Sequence, residues 1–141
     1  MKWFATFNMF FWGMMTTLLS CNTKTNKKVH FVNVVIDTTT NSKHISLTDL
    51  LKEYSSLNGQ KIETEGIVYF EFENVAICSG KWPGTDCFWL DWNKDLIVND
   101  SLLQKISGRK FVLKGTIDIS DKGHLGAYLA TIRNIYYLKE K

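Results

Sequence analysis

Residues 60–72 read QKIETEGIVYFEF, and the period of that stretch decides the fold. Ile62, Thr64, Gly66, Val68, Phe70 and Phe72 fall on one side of an extended chain, with Lys61, Glu63, Glu65, Ile67, Tyr69 and Glu71 on the other. That is the two-residue period of a half-buried strand. Gly66, in its middle, is where a long strand bends or bulges, as the corner of a small barrel requires. A second stretch answers the first. LNGQKIETEGIV (57–68) and ISGRKFVLKGTI (106–117) align without gaps, matching Gly59 with Gly108, Lys61 with Lys110 and Gly66 with Gly115. Either the unit is duplicated, or two strands meet the same demand: leave a helix by a glycine, run, then bend at a glycine. Both accounts predict a strongly curved barrel.

Outward from this strand the period changes. Leu47, Leu50, Leu51, Tyr54 and Leu57 fall at helical spacing behind Ser46, whose hydroxyl can cap the first turn with Asp49 at the third position. Asn58-Gly59 ends that helix. Further upstream, residues 29–36 (VHFVNVVI) are β-branched and short, and predict a strand followed by a polar loop. Downstream the pattern predicts short strands over 74–78 and 87–92. A helix over 102–106 follows, which Ser101 and Gln104 can cap, then strands over 110–119 and 128–138. The expectation is a mainly β fold with short helices. It is a small five-stranded OB-like barrel, its helix between the third and fourth strands, with an added N-terminal strand and helix.

The amino end has a separate logic. Lys2 is the one charge in residues 1–20, and an apolar run from Trp3 to Met15 follows it, interrupted by Thr6, Asn8 and Gly13. A positive start, an apolar middle short for a membrane span and a small residue before a cut make a secretory signal; an uncleaved signal anchor is the alternative. Residues 22–28 (NTKTNKK) hold no hydrophobe and read as a flexible polar tether over 21–28, able to reach roughly 25 Å when extended. The remainder, 29–141, reads as a single domain.

Leu18, Leu19, Ser20 and Cys21 resemble the lipobox of bacterial lipoproteins, although Leu19 is bulkier than the commonest residue at its position. The resemblance implies cleavage before Cys21, a thioether-linked diacylglycerol on its sulfur and an N-acyl chain on its new amino terminus. Over about 45–138, LNGQKIETEGIV, FWLDW and GTIDISDKGHLGAYLATIRNI are similar to small, functionally uncharacterised bacterial lipoproteins with an OB-like barrel domain. The location implied is the cell envelope, lipid-anchored, with the outer membrane and a periplasm-facing position favoured because no acidic export tag follows Cys21.

Three cysteines in an exported chain leave one odd thiol unless one is consumed. Lipidation of Cys21 leaves Cys78 and Cys87, which either close a disulfide loop or are two separate small buried residues. The sequence has 17 Lys and Arg against 14 Asp and Glu, with Arg109 and Arg133 its only arginines, so no basic nucleic-acid surface stands out. Two cysteines and a distant His124 match no zinc spacing. No metal site, resident cofactor or catalytic motif is expected.

An OB-like barrel takes ligands across its second and third strands and between the loops after strands one and four. In this sequence those regions are residues 71–74, 79–92 and 120–127. Trp82, Trp89 and Trp92 can stack on sugars or bases, or else complete a small core. Asp118, Asp121 and His124 recur at a spacing of three, which on a loop puts no common face together; Gly123 and Gly126 make turn structure the simpler reading. The function expected is a non-enzymatic binding module on the envelope, its partner a protein or a glycan. The alternatives are a structural envelope protein contacting another membrane protein, and thirdly an oligosaccharide- or nucleic-acid-binding barrel.

Overall fold

The computed structural model describes residues 34–35, 40–81, 84, 86–92 and 100–141. Its elements in chain order are β1 (Val34–Val35), β2 (Lys43–His44), α1 (Leu47–Glu53) running into a 3-10 turn at Tyr54–Leu57, and β3 (Lys61–Glu71). Then come β4 (Asn74–Cys78), β5 (Cys87–Trp92), α2 (Asp100–Ile106), β6 (Arg109–Asp118), a 3-10 turn at His124–Gly126 and β7 (Thr131–Glu140).

Strands β3 to β7 form a closed ring. β3 pairs antiparallel with β4, and β4 with β5. β5 runs parallel to β7, β7 antiparallel to β6, and β6 returns antiparallel to β3. A parallel pair between the third and last strands, with a helix between the third and fourth, is the order of the OB barrel. Two short strands lie outside the ring. β2 pairs parallel with the start of β3 at Ile62 and Glu63, and β1 pairs with β7 at Leu138 and Tyr137, near the carboxyl end of β7.

Alternation fills the barrel from β3 to β6, whereas the inward residues of β7 are three apart because its register shifts against β6. Ile62, Val68 and Phe70 of β3, Ile77 of β4, Phe88 and Leu90 of β5, Phe111, Leu113 and Ile117 of β6, and Ile132, Ile135 and Leu138 of β7 form one buried cluster. Leu47, Leu50 and Leu57 add the apolar face of the first helical segment, and Leu103 and Ile106 that of α2. Ser46 caps α1, its hydroxyl oxygen accepting from the Asp49 amide at 3.1 Å.

The echo between 57–68 and 106–117 is a local two-fold relation. β3 and β6 are neighbours, and Ile62 opposes Gly115 while Gly66 opposes Phe111. The amide of Gly59 donates to the carbonyl of Ile117 at 2.8 Å, and that of Gly108 to the carbonyl of Val68 at 2.8 Å. Both glycines take positive φ, 75° and 79°, the conformation that turns a helix end into a strand without a Cβ penalty. Gly66 and Gly115 serve by lacking bulk. A Cβ on Gly66 would lie 2.7 Å from both Ile77 and Leu47, and one on Gly115 2.7 Å from Ile132. Pairing between β6 and β7 shifts register beside Gly115, where the barrel turns its corner.

Four expectations change in detail. Phe72 leaves the alternation, because β3 ends at Glu71 and the turn swings the ring outward until it is 90% exposed. α2 begins at Asp100, so Ser101 lies inside its first turn instead of capping it. β7 begins at Thr131 and not at 128, because Tyr128 is drawn onto the outside of the barrel. Of the strand expected over 29–36, the described part is Val34–Val35; Cys21, the tether 21–28 and the signal 1–20 lie outside the described residues.

Candidate functional site

The outer face of β4 and β5 is where a barrel of this order takes its ligands. In this chain that face carries a second, smaller core. Ala76, Cys78, Cys87 and Tyr128 are buried together there, with Tyr69 and Trp89 packed against them. Cys78 opposes Cys87 across the β4–β5 pair and is bonded to it, with 4.2 Å between their Cα atoms.

The segment 119–130 folds back over this face. Its Tyr128 ring lies 5.1 Å from that of Trp89, tilted by 56°. The Tyr128 hydroxyl donates to the side-chain oxygen of Asn74 at 2.7 Å, and burial pushes the Tyr128 pKa up. Gly123, at φ 66°, sits so close to Trp89 that a Cβ there would lie 2.5 Å from the indole. Among the described residues, the chain itself thus covers part of the Trp89 ring on this face.

Asp118, the last residue of β6, and Asp121 of this segment are held from behind. Asp118 and Asp121 share Arg133, at 2.5 and 3.5 Å. Asp118 also accepts from the hydroxyl and amide of Ser120, and these bonds, with Arg133, hold its carboxyl below the usual range. His124 instead brings its Nε2 to 3.5 Å from a carboxylate oxygen of Glu73. The three residues spaced by three thus separate into an arginine clamp and a link to another loop. Among the described residues no group of three or more His, Cys, Asp and Glu side chains is placed to hold a metal ion.

The link between Glu73 and His124 joins the tips of the β3–β4 turn and the β6–β7 loop. Beside it stand the most exposed large hydrophobes described, Phe72 at 90% and Leu125 at 89%. Glu73 and Leu125 both take positive φ, 58° and 55°, which costs of order 1 kcal/mol or more for residues of these types. Asn134, at φ 52°, is the third such residue, but asparagine tolerates that region and lies where β7 is irregular. Among the described residues, the strain without a tolerant residue is thus confined to these two tips.

Of the residues proposed from sequence, Trp89 and the loop bearing His124 come together, with Trp89 half-buried. Trp92 lies apart, stacked on Phe70 with centroids 5.5 Å apart. Trp82 falls outside the described residues. Phe72, Glu73 and Leu125 fall within the regions 71–74 and 120–127 expected from sequence to take ligands, though none was singled out there, and Tyr128 was expected to begin a strand. A signal for the first two was present: a two-residue connection, Phe72-Glu73, without the glycine or asparagine such turns prefer.

No protein-family model and no curated protein matches the sequence. Among solved structures, RecG bound to a three-way DNA junction is similar with a TM-score of 0.44 and 19% identity over 72% of this chain. A protein described as an aspartyl-tRNA synthetase from Leishmania major Friedlin is similar with a TM-score of 0.43 and 9% identity over 75% of this chain. The chain spans 13% and 22% of those two proteins respectively.

Proposed function

We propose that the chain is a lipid-anchored, non-enzymatic docking module of the bacterial envelope, attached through Cys21 and binding another envelope protein by its two joined loop tips. The observation that carries the docking reading is the pair of exposed apolar side chains beside the close approach of Glu73 and His124: Phe72, next to Glu73 at positive φ, and Leu125, itself at positive φ. Exposed hydrophobes held in costly conformations are what a binding surface retains and a merely soluble loop discards. The covering of Trp89 by Tyr128 and Gly123 supports a protein partner over a stacked sugar or base. The anchoring half of the reading rests on the lipobox-like residues 18–21 and the tether that follows.

β1 joins β7 near the carboxyl end of β7, whereas the segment 119–130 leads into its amino end. Intact-mass measurement of the membrane-bound protein is expected to show residues 1–20 removed and acyl chains added; a full-length, unmodified product would sink the anchoring. Photo-crosslinking from positions 72 and 125 in intact membranes is expected to give one discrete protein adduct from both, and the absence of any protein adduct would sink the docking.

A further inference from the structure

Phe72 is the rim of a cleft of about 180 Å³ lined by Phe70, Glu71, Phe72, Val75, Leu103 and Gln104. It lies between the β3–β4 turn and the last part of α2. For scale, an engineered apolar cavity of about 150 Å³ takes up benzene. The cleft therefore has room for one large apolar side chain.

Its charge is one-sided. Glu71 is exposed on the rim, and Glu73 follows in the turn with its side chain 57% exposed. No lysine or arginine is among the described lining residues, and Lys105, next along α2, is not one of them. Apolar side chains beside a rim carboxylate, with a second carboxylate in the adjoining turn, complement an apolar side chain flanked by cations.

From this complementarity, and resting on the docking reading above, we infer that the cleft receives a single large apolar side chain flanked by Lys or Arg on a segment of the partner polypeptide. The apolar anchor buries against Phe70, Val75 and Leu103, while Glu71 and Glu73 meet the flanking cations. Glu73 then exchanges its partner: the link to His124 at 3.5 Å gives way to the incoming cation, loosening the tie between the tips as the segment seats.

The test uses the full chain in its own membranes, with photoreactive benzoylphenylalanine in place of Phe72 and the captured peptide sequenced. The expected adduct lies on an apolar residue within about one helical turn of Lys or Arg. Its yield falls about fivefold with Glu71→Lys, the size of one partly exposed ion pair, and less with Glu71→Gln. Equal thermal melting of these variants and the parent shows that the fold is unchanged. An adduct on an acidic segment, on lipid or on residues 93–99 of the same chain would overturn the inference. So would a protein adduct unchanged by Glu71→Lys, which leaves the docking reading standing. Loss of every protein adduct from positions 72 and 125 removes both.

Discussion

Glu73 and Leu125 keep a backbone conformation that neither residue type favours, and each sits next to, or is itself, an exposed apolar side chain. Glu73→Gly is expected to raise stability by up to about 1 kcal/mol in chemical denaturation, while weakening capture at position 72. A variant no more stable than the parent would mean that the turn holds no strain. Inside the barrel, the Thr64 hydroxyl is buried and has no hydrogen-bond partner among the described residues. Thr64→Val, nearly equal in shape, is expected to add about 1 kcal/mol to stability, measured by the same denaturation. The Thr64 position was legible as inward-facing from alternation alone. The missing partner was not, because it depends on Leu113 lying opposite across β6.

Strands and helices were the most legible level. Gly66 and Gly115 marked the bends from sequence, and the interatomic distances give the reason: neighbouring side chains occupy the space a Cβ would need. Gly66→Ala is therefore expected to cost about 1–3 kcal/mol by overpacking Leu47 and Ile77, read as a lower midpoint with an unchanged slope. What periodicity could not give is the path of the segment 119–130. Its glycines announced a turn, but Tyr128 lies outside the barrel because it finds Trp89 and Asn74 there, partners far away in sequence. The same limit hid the Glu73–His124 link, since a pairing of two loop tips leaves no period to read. Gly123→Ala tests the packing directly. A Cβ against the Trp89 indole at positive φ is expected to cost at least about 2 kcal/mol and to alter the near-ultraviolet signal of the tryptophan.

Across the whole molecule, the ends of the barrel are tied by charge. Glu65 of β3 accepts hydrogen bonds from Lys141, beyond β7, and from Lys110 of β6 at 2.9 Å. These bonds lower its pKa from the ordinary 4.5 to about 2. A carboxylate depressed in this way contributes stability above its ordinary value, and that contribution disappears as pH falls from 4.5 through about 2. Glu65→Gln should therefore flatten the acid limb of the stability profile in that window, with added salt shrinking the difference because the group is exposed. Equal acid limbs in variant and parent would show that the triad has no linkage to folding.

The barrel also works as a ruler. β1 meets β7 near one end of that strand, and the strained tips precede the other. From Thr131 to Tyr137, where β1 pairs, the strand spans on the order of 20 Å. On the proposed reading, whatever is tied to β1 and whatever is held at Leu125 are kept apart by a strut whose length the strand sets.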